Sequence, residues 1–203
     1  MMEFATKRNS HPMIEYDLLD IGSDTSGFLN KHGHFDRVYS FYCLNWTNQK
    51  VAFANIASLL KPSGECLLHY PVRAPFFIFR KEIVQVQRWS KYREVVENAI
   101  PKTQYIEDND ALISHGEDLL KVAKLTAYKC VVKPNIVASN QEAMLASVLG
   151  TNPVVPLLTA EEKREFPEEM VKVIRSTTMS KKYTEAQLRT FDVYIIHAFK
   201  AEP

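Results

Sequence analysis

The chain has 203 residues, 46% of them hydrophobic and 24% charged, the balance of an ordinary globular protein with material for one sizeable core. Lys and Arg number 25 against 24 Asp and Glu, so nothing in the charge asks for nucleic acid or an anionic membrane surface. Three widely spaced cysteines (Cys43, Cys66, Cys130) offer no metal-ligand spacing, and no apolar run reaches membrane-spanning length, so a cytoplasmic protein with reduced thiols is the default expectation.

Residues 1–7 (MMEFATK) read as the tail of a helix with no capping signal before it. Asn9 to Pro12 is a turn. Met13 to Ile21 (MIEYDLLDI) alternates and then becomes apolar, which predicts a strand ending at Asp20. Gly22 to Thr25 is a loop. Phe35 to Phe41 (FDRVYSF) is a β-branched and aromatic run that predicts a buried strand. After it, Ser40, Asn45 and Trp46 present polar atoms where a helix is about to start. In open α/β sheets that is the end at which ligands bind.

Thr47-Asn48 opens a helix whose apolar face is Ala52, Ile56, Leu59 and Leu60. Lys61-Pro62-Ser63-Gly64 stops it, and Glu65 to Val72 is the next strand. Strand, helix and strand with short links predict a parallel α/β unit. Residues 74–100 begin with Phe76, Phe77 and Phe79 and continue as mostly helical. A polar loop follows over 101–110, then a helix over 111–125 with a possible break at His115-Gly116. Tyr128 to Ala138 is a strand that Pro134 shortens or bulges. Ser139-Asn140 caps a helix ending at Gly150, and Asn152 to Pro156 is a rigid linker. Thr159 and Glu162 form a capping box for a helix to about Ser176, kinked or interrupted at Pro167. A short helix near 185–188 is possible. Phe191 to Lys200 is a last strand whose alternation suggests an antiparallel partner.

Gly22-Ser-Asp-Thr-Ser-Gly27 looks at first like a glycine-rich cofactor loop. Its two glycines are separated by four residues and the middle one is missing. A crossover helix with a second strand needs about 30 residues or more, and the next strand starts at Phe35. A surface loop is the better reading. The six histidines show no ligand spacing except His32-x-His34, which reads as a solvated pair.

Three stretches together carry a resemblance. They are the strand ending Ser40-Phe41-Tyr42-x-Leu44-x-Trp46, the helix Gln49-x-x-x-Phe53-Ala54-Asn55-Ile56, and the exit Leu59-Leu60-Lys61-Pro62-x-Gly64-Glu65. With Met2-Glu3-Phe4-Ala5 and Ile14 to Ile21 upstream, the chain resembles the arthropod juvenile hormone acid O-methyltransferase family, strongly to Leu68 and more loosely beyond. The resemblance implies an α/β Rossmann-like class I methyltransferase sheet with helices on both faces and an antiparallel last strand. It also implies an N-terminally truncated member, a single incomplete domain over 1–203. On that alignment the first two strands, the glycine-rich loop and the acidic ribose partner would lie ahead of Met1. Residues 74–126 and 139–190 would supply helices on the acceptor side.

The implied cofactor is S-adenosylmethionine, and the implied acceptor a small hydrophobic carboxylic acid of sesquiterpenoid type. Asp20 would accept the adenine amine, Ile21 would flank the ring, and Ser40 and Phe41 would face the cofactor. Trp46 would donate its indole N–H to the acid head group, with Phe76 and Phe77 lining an apolar pocket. The family generally carries His before this Trp; here Asn45 stands in its place, able to hydrogen-bond but not to carry charge. A carboxylate is already ionised at neutral pH, so the chemistry needs positioning and water exclusion rather than a catalytic base, and no metal. The alternative is an inactive remnant that binds a partner, or itself, through unpaired strand edges.

Overall fold

A computed structural model describes residues 2–136 and 141–202. The helices are α1 (Met2–Arg8), α2 (Ser26–His32), α3 (Gln49–Leu59), α4 (Pro75–Ile83), α5 (Arg93–Asn98), α6 (Asn109–Val122), α7 (Gln141–Gly150), α8 (Glu162–Met179) and α9 (Glu185–Arg189). The strands are β1 (Phe35–Phe41), β2 (Leu60–Arg73), β3 (Leu125–Ile136) and β4 (Thr190–Lys200). They form a four-stranded sheet in the order β1-β2-β4-β3. β1 and β2 are parallel, joined by α3 as the crossover. β4 is antiparallel to both of its neighbours.

Two apolar clusters hold the chain. The first lies between one face of the sheet and helices α3 and α6: Phe53, Ile56, Leu112 and Leu119 meet Leu68, Tyr70, Tyr194 and Ile196. These strand residues share one parity, as a pleated strand requires. The α6 helix comes close because position 116 is glycine. A Cβ there would sit 2.9 Å from the Cys130 Sγ and 3.2 Å from the Tyr194 ring. The expected break at His115-Gly116 is therefore not a break: the helix runs through it unbroken, and the missing side chain serves packing. The second cluster is built mainly by helices. Phe77, Phe79 and Ile83 of α4 pack with Trp89, Val148, Phe166, Met170 and Leu188, stacking α4, α7, α8 and α9 beyond the sheet.

Several expectations are corrected. Residues 13–20 form no strand. Their alternation lacks a neighbouring strand to pair with, and the segment is held by side chains instead. Asp17 binds Lys31 and His32 of α2, each at 2.7 Å, and the Tyr16 hydroxyl donates to the Asn9 carbonyl at 2.9 Å. His32 is thus a partner of Asp17 and not a solvated residue. The strand Phe35–Phe41 is present but is an edge strand, not a buried one: Tyr39 and Phe41 are each 58% exposed. Lys61 to Gly64 do end the helix, yet they already belong to β2, with Ser63 at φ 59°.

The capping box is seen in full. The Thr159 N–H donates to the Glu162 carboxylate at 3.0 Å and the Glu162 N–H to the Thr159 hydroxyl at 3.2 Å. Pro167 sits inside α8 without ending it. Pro134 is accommodated because β3 is the other edge strand. The cap expected at Ser139-Asn140 lies outside the described residues.

Candidate functional site

The carboxyl ends of the two parallel strands converge with the start of β4. β1 leaves the sheet through Tyr42, whose φ of 55° places a non-glycine residue in the left-handed region. Its N–H is held by the His69 carbonyl at 2.8 Å, and its ring meets the His69 ring edge-on at 5.1 Å. This bend feeds the short 3-10 turn Leu44–Trp46, which buries Leu44 and Asn45 and leaves Trp46 43% exposed. β2 leaves through Arg73 into α4, where Pro75 begins the first turn as a helix start favours.

Between these two exits and the helical layer is an apolar cavity of ≈ 370 Å³. The strand side contributes Tyr42, Asn45, Trp46 and Pro71. Phe76 and Phe79 come from α4, Met144, Val148 and Thr151 from the α7 region, Leu188 from α9 and Phe191 from the start of β4. The aromatic cluster at its mouth is continuous: Phe76 lies 6.1 Å from Trp46 and 4.3 Å from Phe77, and Phe77 lies 6.0 Å from Trp46.

Two polar features stand out here, Asn45 in the cavity wall and Arg80 behind the lining residues Trp46, Phe76 and Thr151. The Asn45 Oδ1 is buried and has no hydrogen-bond partner. The Arg80 guanidinium is fully buried, with its carbon 5.0 Å from the Trp46 and Phe76 ring centres and 5.7 Å from that of Phe77. Burial alone lowers the Arg80 pKa to about 10, so it stays cationic at neutral pH.

The structure brings Asn45, Trp46 and Phe76 together in one wall. Phe77, the fourth residue expected there, packs behind Trp46 and Phe76 and faces a second, more polar cavity of ≈ 650 Å³. Arg73 borders that second cavity, and its guanidinium is saturated: it binds Asp192 at 2.9 Å, the Ile106 carbonyl at 3.0 Å, the Glu107 carbonyl and the Asn109 side chain.

The residues expected at the cofactor lie in the turn tied to α3 and at the end of β1. Asp20 closes its own turn, accepting from the Ser23 hydroxyl at 2.7 Å and the Gly22 N–H at 2.9 Å. These bonds, Ser23 first, hold its carboxyl below the usual range. Ile21 packs against the sheet core, and its carbonyl, with that of Ser23, accepts from Asn55 of α3 at 2.9 and 2.6 Å. Burial, and then the Asp20 charge, raises the Cys43 thiol pKa. Ser40 is half-buried and Phe41 exposed at that strand end.

Sequence reasoning missed Arg80, Tyr42 and the far wall of the cavity. For Arg80 a signal existed. In the run PFFIFRKEI it stands four residues after Phe76 and three after Phe77, the helical spacing that sets side chains side by side. The far wall carries no such signal, since Val148, Leu188 and Phe191 read as ordinary core.

No protein-family model matches the chain. A Drosophila melanogaster protein named juvenile hormone acid O-methyltransferase is 26% identical over 189 residues, covering 88% of this chain and 60% of that protein. Its Bombyx mori namesake is 34% identical over 109 residues, 53% of this chain and 38% of that protein. The chain therefore spans less than two thirds of either relative. Among solved structures, a Bacillus halodurans protein whose name gives it as a candidate methyltransferase superposes with a TM-score of 0.53 at 16% identity, covering 98% of this chain and 78% of that one. The fold is thus the mixed α/β, Rossmann-like fold of class I methyltransferases, and the homologues just described are named methyltransferases.

Proposed function

We propose that the chain serves S-adenosylmethionine-dependent methyl transfer to the carboxylate of a small hydrophobic acid. The observation that carries this reading is the apolar cavity at the carboxyl ends of β1 and β2, which has a polar group, Asn45, buried in a wall of aromatic and aliphatic side chains. Ligand sites have this character: mostly apolar, with few and well-placed polar atoms. The names of the two relatives agree with it.

The Asp20 turn and the end of β1 would face the methyl donor. Asp20 uses one lone pair on each carboxylate oxygen within its turn and keeps the others, enough to accept an exocyclic amine. Ile21 offers an apolar flank, and Ser40 and Phe41 complete the strand end. S-adenosylmethionine would supply an electrophilic methyl group on a sulfonium. The protein's own work is then on the acceptor. The cavity walls exclude water from the acid's tail, and Trp46 and Asn45 orient its head group toward the end of β1. Held in this way, an ionised carboxylate needs no base to attack.

The test is to incubate the chain with methyl-labelled S-adenosylmethionine and dodecanoic acid and to look for the methyl ester by mass spectrometry. Ester formation that falls when Trp46 is replaced by alanine supports the reading. The absence of both ester formation and cofactor binding at millimolar concentration would overturn it.

A second reading has its own observation. The outer edge of β1 pairs with no strand among the described residues, and Tyr39 and Phe41 are exposed along it. An edge of this kind can pair with another chain, which would make the protein an interaction partner.

A further inference from the structure

We propose that Arg80 is the counter-charge by which the cavity selects an acid over its neutral analogues, an inference that rests on the acceptor-site reading above. Two of its three guanidinium nitrogens, Nε and Nη1, have no hydrogen-bond partner although the side chain is fully buried. The third, Nη2, donates to the carbonyl and hydroxyl oxygens of Thr151. No carboxylate forms an ion pair with Arg80 among the described residues, whereas Arg73, seven residues earlier at the end of β2, has all three guanidinium nitrogens bonded.

A buried cation left without an anion is costly. The three rings that surround Arg80 offset part of that cost by cation–π attraction. They contact a delocalised cation without accepting the N–H groups of Nε and Nη1, and those donors stay open. The group that would satisfy them is a planar, two-oxygen anion, for which guanidinium has matched geometry. Its source is set by the walls. Trp46, Phe76 and Thr151 touch Arg80 and also line the apolar cavity, so an anion reaching Arg80 from there carries a hydrophobic tail. That describes a fatty or isoprenoid carboxylate and not a free inorganic ion. Trp46, the most exposed of the three rings, is the cover that must turn aside for the head group to enter.

The experiment compares dodecanoic acid with methyl dodecanoate as probes for the whole chain at pH 8, followed by tryptophan fluorescence. Of the two tryptophans, Trp46 borders the cavity and Trp89 is fully buried in the helical layer. In the natural chain the acid is expected to bind about tenfold tighter than the ester or more, the scale of a charge-assisted hydrogen bond. Arg80→Met should bind both with the affinity of the ester, and Arg80→Lys should recover part of the preference. Equal binding of acid and ester by the natural chain would overturn the role of Arg80 and leave the cavity reading standing. An acid preference that survives in Arg80→Met would do the same. If neither probe binds, the cavity reading falls and takes this inference with it. Should Arg80→Met fail to fold, the natural chain's acid-to-ester ratio and Arg80→Lys still decide the matter.

Discussion

Replacing Asn45 by leucine is expected to make the protein more stable and less able to bind an acid. Asn45 is 5% exposed and its Oδ1 meets no donor. A buried acceptor left unsatisfied costs about 1–3 kcal/mol. Leucine has a similar branched shape and sets apolar atoms against an apolar wall, so the variant is expected to gain about 1–2 kcal/mol. For a chain of this size that corresponds to a rise in Tm of roughly 2–8 °C. The assay is a thermal melt with and without dodecanoic acid. The natural chain should gain stability from the acid, and Asn45→Leu should start higher and gain less. A variant that melts lower than the natural chain would show that Asn45 is a satisfied structural residue. A variant that keeps the whole ligand-induced shift would show that the acid does not meet Asn45.

Other substitutions probe the frame around the cavity. Gly116→Ala places a Cβ 2.9 Å from the Cys130 Sγ and 3.2 Å from Tyr194. Overpacking costs about 1–3 kcal/mol against a helix gain of about 1, so urea titration should show a net loss of up to about 2 kcal/mol, and a gain would mean α6 does not lie this close to the sheet. Glu162 accepts from Lys91 at 2.6 Å, from the Thr159 N–H and from the Tyr92 hydroxyl at 2.9 Å. These bonds, Lys91 first, lower its pKa from 4.5 to about 2. A depressed acid stabilises the fold fully above the unfolded value and loses this effect as pH falls through the folded one. The melting gap between the natural chain and Glu162→Gln should therefore be constant above about pH 5 and close between about 4.5 and 2; a gap that does not change with pH would contradict the pairing. For the open edge of β1, sedimentation velocity should show association that grows with concentration and weakens in Tyr39→Lys, while a monomer at all concentrations would remove the second reading.

What the sequence made legible follows from locality. The capping box over 159–162 is a contact between residues three apart, so it can be read directly. The helix at 49–59 announces its buried face by spacing, and the parallel pair around it follows from the short links. The neighbour of a strand is another matter. Phe35–Phe41 has the residues of a buried strand but lies at an edge, because exposure depends on which strand flanks it. Residues 13–20 show the same limit: they alternate as a strand does, yet a strand exists only with a partner, and here Asp17 with Lys31 and His32 decides the conformation.

The site divides along the same line. Asn45, Trp46 and Phe76 stand in one wall because they leave two adjacent strand ends. Phe77, one residue further along α4, points to the other side, as the turn of a helix requires. Arg80 was within reach of helical arithmetic from Phe76 and Phe77. Val148, Leu188 and Phe191 were not, since they arrive from elements far along the chain.

The most direct test of this acid site is a crystal structure of the chain with dodecanoic acid. The tail is expected between Val148, Phe79 and Phe191, and the carboxylate beside Asn45 and the Arg80 guanidinium with Trp46 displaced. Density for the acid in the polar cavity at Arg73, or lying along the open edge of β1 with Trp46 still packed over Arg80, would contradict it.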